Sequence, residues 1–287
     1  MTGDDHARQT AVLRVAIARG INWVDTAPGY GQGKSETNIG RALEELAGGE
    51  RVSVATKVRL APEHFGDIHG SIRRSVEVSL KRLRRSSITL LQLHNGLTTQ
   101  RDDEPFSISP NDVLASDGVL DAFRELRDEK LIQFIGLTGT GHPEAMRQAV
   151  NSGAFDTIQV PYNLLNPSAG RELTASFSET NYGNIIADCQ ANQMGVFAIR
   201  VFAAGALLGN APSAHTLKTP FFPLSLYERD RAKAAEMAST GGSLKNAAID
   251  FVLNDRRVHS AIIGFGAPNE IEEALASGLL MGDGSVA

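Results

Sequence analysis

Four residues in the first third of the chain bear side chains suited to proton transfer: Asp25, Tyr30, Lys57 and His94. Asp25, Lys57 and His94 each close a short run of strand-forming residues, at Ile21–Asp25, Val52–Lys57 and Ile88–His94. Tyr30 follows five residues after Asp25, between Gly29 and Gly31, so its loop is free to turn the ring back over the strand end. An ammonium drawn out of water requires a carboxylate beside it, and Asp25 is the natural partner for Lys57. A phenol, an imidazole and a paired ammonium together can hand a proton to a reacting group. Each residue alone has an ordinary explanation: a turn at Asp25-Thr26, a loop-packing Tyr30, a solvated Lys57, a turn at His94-Asn95-Gly96. Their joint occurrence at successive strand ends is what singles them out. A strand-end lysine is equally the requirement of a Schiff-base aldolase, which leaves that alternative standing for Lys57. No metal site is expected. His6, His64, His69, His142, His215 and His259 show neither H-x-H nor H-E-x-x-H spacing, and Cys189 is the only cysteine.

Such residues need a scaffold that gathers strand ends. Seven strand-like runs recur along the chain: the three above, then Leu131–Thr138, Thr157–Val160, Gly195–Val201 and Val258–Ile263. Between them the apolar period changes from 2 to 3.6. Ile72, Val76, Leu80 and Leu83 form one helical stripe, Val119, Leu120, Phe123 and Leu126 another, and Val12, Leu13, Ala16 and Ile17 a third ahead of any strand. Alternating strands and helices read as parallel β/α units. The turn after the first strand, Asp25-Thr-Ala-Pro-Gly-Tyr-Gly, does not fit the G-x-G-x-x-G of a doubly wound dinucleotide fold. A barrel, by contrast, brings Asp25, Lys57 and His94 to one rim, and small Ser53 and Ala55 leave room for Trp23 on the inward face. The long polar connections His94–Asp117, Pro161–Asn184 and Gly209–Glu228 all follow strands and read as lids of a single domain, residues 1–287. The basic cluster Lys81-Arg-Leu-Arg-Arg85 ends a helix and reads as a solvated face.

Composition excludes other classes. The chain has 287 residues, a net charge of -5 and a single cysteine, which argues against nucleic acid and anionic membrane as partners and for a reducing cytoplasmic compartment. The acidic start, Met1-Thr-Gly-Asp-Asp-His, is unlike a signal peptide, and the most apolar stretch, Gly195 to Gly209, contains Arg200. It is shorter than the ~20 residues of a membrane span.

Gly20-Ile-Asn-Trp-Val-Asp-Thr-Ala-Pro-Gly-Tyr30-Gly, followed by Ser35-Glu36 and Gly40-Arg-Ala-Leu43, resembles the signature of the aldo-keto reductases. Ala55-Thr-Lys57-Val, Leu90-Leu-Gln-Leu-His94, Gln159-Val-Pro-Tyr162-Asn163, Gly205-x-Leu207-x-Gly209 and Ile262-Ile-Gly264 follow in that family's order. The resemblance implies a (β/α)8 TIM barrel that binds NAD or NADP along its rim and transfers a hydride to or from a small aldehyde, ketone or alcohol. It makes Tyr30 the proton donor, Lys57 the adjacent cation, Asp25 its holder and His94 the group orienting the carbonyl. It places Thr138 and Gln159 on the nicotinamide amide, with Gly139 where the family has an Asn. Ile199 stands where an aromatic commonly stacks, and neighbouring Arg200 is within reach of the pyrophosphate. The family also begins with a strand ahead of the first helix of this chain. The expected architecture is therefore a barrel lacking its N-terminal first strand, through a late start, a covered or swapped edge, or decay to a non-catalytic dinucleotide-binding or regulatory protein. The loop and helix after the last strand, including Gly264, Gly266, Asn269 and Glu270, are the expected adenosine-side contacts. No Lys or Arg occurs from Val258 to Ala287, and Glu270 stands where the family often has Arg, so NADH is expected over NADPH.

Overall fold

The computed structural model describes residues 1–174, 177–212, 224–239, 241 and 243–276. The elements in chain order are α1 (His6–Ala18), β1 (Trp23–Asp25), α2 (Lys34–Glu45), β2 (Ser53–Val58), α3 (Ile68–Leu83), β3 (Ile88–Leu93), α4 (Pro110–Leu114), α5 (Val119–Asp128), β4 (Ile132–Thr138), α6 (Pro143–Asn151), β5 (Thr157–Pro161), α7 (Ile185–Ala191), β6 (Gly195–Ile199), α8 (Leu224–Ser239), α9 (Leu244–Leu253), β7 (Ser260–Ala261) and α10 (Pro268–Leu275). All seven expected strands are present within a few residues of the runs read from sequence, and no strand precedes α1 among the described residues. Strand order is chain order, β1 through β7. A doubly wound sheet would reverse direction part-way, so the topology is that of a singly wound β/α repeat. No helix among the described residues is long and apolar enough to cross a membrane.

The described residues form two compact units: those within 1–158, 192–194 and 264–271, and those within 159–191, 195–263 and 272–276. In the first, β1 to β4 pair in parallel, with Trp23 opposite Ser53, Asp25 opposite Ala55, and Lys57 opposite Gln92. The expected stripes do bury: Ile72, Val76 and Leu83 of α3, and Val119, Leu120, Phe123 and Leu126 of α5, are inside. Side-chain caps set where helices begin. Asp67 accepts from the Gly70 amide ahead of α3, and Ser109 with Asp112 forms a capping box around Pro110 at the start of α4. The connection from His94 to Asp117 is thus built: it contains α4, and Leu97 bridges both Ile108 and Gly141.

The basic cluster at the end of α3 is solvated at Lys81 and Arg84, as expected, while Arg82 and Arg85 reach neighbouring elements. The Arg82 guanidinium lies 3.2 Å from the Glu36 carboxylate, Arg84 pairs with Glu44, and Arg85 donates to the carbonyls of Gly49 and Glu50. Glu36 is fully buried and also accepts from the Thr56 hydroxyl at 2.7 Å. A buried carboxylate must be paired, and the cluster supplies the charge that pairs it.

In the second unit, β6 pairs β7 in parallel with Phe197 opposite Ser260 and Ala198 opposite Ala261. The connection after β5 is tied down by Arg257, which donates to Asp255, Asn184 and the Gly170 carbonyl. Helix α8 begins at Leu224, inside the stretch read as a loop to Glu228, and residues 213–223 of that stretch lie outside the described residues.

Gly40 is where α2 meets the end of α3: a Cβ there would lie 2.6 Å from the Leu83 carbonyl carbon. Gly40→Ala should therefore force the two helices apart and lower stability by about 1–3 kcal/mol, read as a lower urea midpoint at unchanged slope.

Candidate active site

Lys57 leaves β2 on the face that β1 and β3 share with it, and it is 1 % exposed. Its ammonium donates to Asp25 Oδ2 at 2.5 Å, to the Thr26 carbonyl at 2.9 Å and to the Tyr30 hydroxyl at 3.4 Å. All three donors are used. Opposite Asp25, Ala55 carries only a methyl group, so Lys57 can reach back along the sheet to the carboxylate. The second Asp25 oxygen accepts from Gln92 Nε2 at 3.2 Å, and Gln92 is fully buried. An amine engaged this way is a fixed positive charge rather than a free nucleophile, which weighs against the aldolase alternative.

The Tyr30 loop is set by short-range bonds. Thr26 donates its amide to the Ala55 carbonyl and its hydroxyl to Ser35, while the Ser35 amide closes on the Tyr30 carbonyl. Gly31 and Gly33 both take the left-handed backbone that turns the loop into α2. The result puts the Tyr30 ring centroid 4.9 Å from Lys57 Nζ while the residue stays 37 % exposed. A phenol that touches the ammonium and faces solvent can meet a substrate.

His94 stands edge-on to Tyr30, with ring centroids 6.0 Å apart at 84°. Burial first, then the charges of Lys57 and Arg59, hold its imidazole well below the ordinary histidine pKa. It is neutral at pH 7, with one donor and one acceptor nitrogen. The sequence-predicted set Asp25, Tyr30, Lys57 and His94 is therefore brought together within the first unit.

The expected cofactor residues divide between the two units. Thr138, in the first, donates its hydroxyl to the Leu93 carbonyl and keeps lone pairs to accept. Gln159, in the second, is buried at the middle of β5. Arg200, also in the second, follows β6 in left-handed backbone, and Asn163 donates to its carbonyl at 3.0 Å. Burial brings the Arg200 guanidinium down to about 10, which leaves it charged at neutral pH.

The loop carrying Gly264 and Gly266 lies in the first unit and runs into α10, which contains Asn269 and Glu270. Glu270 turns back so that its carboxylate accepts from the amides of Gly266 at 2.6 Å and Ala267 at 3.3 Å. The two amides at this helix start are thus filled by the chain's own carboxylate. Arg8 of α1 donates to the Gly266 carbonyl at 2.6 Å, so a cation does reach this loop in space although none is present in its own segment.

Gln92, Arg59, Arg8 and Asn95 are the residues the sequence reading missed. Gln92 had a signal: a lone amide in an apolar run, on the parity of the strand-end residues. Asn95 is buried and grips Leu60 through both its amide and carbonyl while also donating to the Phe106 carbonyl. No group of three metal-ligating side chains occurs among the described residues.

The sequence model of the aldo/keto reductase family matches residues 2–281. D-threo-aldose 1-dehydrogenase from a Pseudomonas species is 29% identical over 94% of this chain and 82% of its own length. Among solved structures, the glycerol dehydrogenase of Gluconobacter oxydans aligns with a TM-score of 0.68 at 25% identity, covering 98% of this chain and 82% of that one. An aldo-keto reductase from Klebsiella pneumoniae in complex with NADPH aligns at 0.66 with 20% identity, covering 96% and 82%. These matches agree with the parallel β/α topology and with a (β/α)8 fold class.

The depressed His94 pKa has a signed consequence. An unfolded histidine takes a proton near pH ~6.5 and the folded one only at lower pH, so the unfolded state binds more protons in between. The stability His94 contributes is complete above that pH and is lost as pH falls through the window below it. In an NMR titration, the His94 ring resonances should stay those of neutral imidazole from pH 8 down to 6.

Proposed function

Because the chain belongs to the aldo/keto reductase family and is an NAD(P)-dependent oxidoreductase of carbonyl compounds and alcohols, we propose that its proton chemistry runs through Tyr30. The bound dinucleotide supplies or removes the hydride. The Tyr30 hydroxyl gives its proton to the carbonyl oxygen as the alcohol forms, and takes it back in the reverse direction. Lys57, 3.4 Å away, stabilises the phenolate left behind. Asp25 and Gln92 hold Lys57 in place, and neutral His94 donates to the carbonyl oxygen and orients it. The observation that carries this reading is an ion-paired ammonium donating to an exposed phenol.

Thr138 and Gln159 are assigned to the nicotinamide amide, Arg200 to the pyrophosphate, and Gly264, Gly266, Asn269 and Glu270 to the adenosine side. Glu270 already occupies the two loop amides that a 2′-phosphate would use, and its carboxylate repels a dianion while accepting from a free ribose hydroxyl. NADH is therefore the assigned cofactor, although Arg8 softens the repulsion. The net charge of -5 and the buried single cysteine support a cytoplasmic enzyme with no nucleic-acid partner.

Tyr30→Phe should lower turnover of a carbonyl panel by about 10²–10⁴-fold while the dinucleotide Kd moves only a few-fold; retention of more than about a tenth of wild-type turnover removes Tyr30 from the acid role. Fluorescence titration at equal ionic strength should give a lower Kd for NADH than for NADPH. Glu270→Arg should move the ratio toward NADPH, and a ratio that does not respond places recognition elsewhere.

A further inference from the structure

Arg59 lies two residues beyond Lys57, just past the end of β2, and the proton chemistry does not use it. One of its guanidinium nitrogens is 3.5 Å from the His94 carbonyl, and the guanidinium sits 6.0 Å from the Phe106 ring centroid. Its charge is among the causes that keep the His94 imidazole neutral, so it acts at the mouth of the site. The other arginines of this unit near carboxylates are engaged: Arg73 with Glu129, Arg82 with Glu36, Arg101 with Asp112. Arg59 forms no ion pair among the described residues and is exposed.

Its surroundings are built rather than loose. Buried Asn95 grips Leu60 in both directions and donates to the Phe106 carbonyl at 2.7 Å, which fixes the chain after Arg59 and the Phe106 backbone to the His94 strand end. Phe106 is held in left-handed backbone and is 49 % exposed, an apolar ring displayed beside a cation. Lys57 is neutralised by Asp25, so the uncompensated positive charge beside Tyr30 and His94 belongs to Arg59.

We propose that Arg59 receives an anionic group, a carboxylate or a phosphate, carried by the carbonyl substrate a few atoms from its reacting carbon, with Phe106 as the wall against which the intervening carbons pack. A planar guanidinium pairs both anions through two parallel N–H···O bonds, which a neutral hydroxyl cannot match. This rests on the oxidoreductase reading and narrows it to acidic carbonyl compounds.

Matched substrate pairs test it: glyceraldehyde against glyceraldehyde 3-phosphate, and butyraldehyde against succinic semialdehyde. The wild-type kcat/KM for a charged member should exceed that of its neutral partner by about tenfold or more, through KM. The phosphate and carboxylate pairs separate the two anions. Arg59→Met should bring the ratio near one, and Arg59→Lys should restore part of it. A ratio unchanged in Arg59→Met overturns the proposal. So does a preference for the neutral member, or a fall in kcat shared by both members. Calorimetric titration of malonate and inorganic phosphate into the dinucleotide-loaded protein gives a readout without turnover: binding lost in Arg59→Met supports the proposal, and equal binding by the two proteins overturns it. Failure to reduce any carbonyl while malonate or phosphate still binds through Arg59 would end the oxidoreductase reading instead.

Discussion

An ammonium at 1 % exposure is the constraint around which the first unit is arranged. Taking Lys57 out of water costs several kcal/mol unless its charge and all three donors are met, and here a carboxylate, a backbone carbonyl and a phenol meet them. That requirement reaches into the register of three strands. Asp25 must sit opposite a residue with a small side chain, and Gln92 must stand opposite Lys57 to occupy the second carboxylate oxygen. A slip of one residue in β2 would send Lys57 to the helix side and take the ammonium away from Asp25.

A second buried charge supports the first. Glu36 links α2 to β2 through Thr56, one residue before Lys57, and to the end of α3 through Arg82. The same guanidinium lies against Gly33, where a Cβ would meet Arg82 Nε at 2.7 Å, so the turn that delivers Tyr30 is held from below. Exposed pairs such as Arg74–Asp67 are of another kind, screened by water and worth little to the fold. Burial, not the number of ion pairs, decides which of them shape the site.

Strand positions and the four strand-end and loop residues were legible because they follow local rules: period, parity and the residue types that end a strand. Gln92 was within reach of the same rules. Arg82, Arg8 and Arg59 were not, since each acts on residues tens or hundreds of positions away and nothing in their own segments marks the partner. The basic run at 81–85 shows the difficulty: its composition is that of a solvated helix end, and only the buried Glu36 draws Arg82 out of it. The loop after β7 shows the converse, an acidic segment whose cation comes from α1, far away in sequence.

Asp25, Tyr30, Lys57, Gln92 and His94 come from β1, β2 and β3 and the turns that follow them, all parallel neighbours joined by single helical crossovers. The five side chains all precede α4, the last of them, His94, directly following β3. During synthesis, this cluster can therefore close before the segments that follow β3 and β4 have left the ribosome, since the loops to be closed are short. The segments assigned to grip the dinucleotide, by contrast, follow from β4 onward, so under this assignment the two parts of the site are completed at different stages of synthesis.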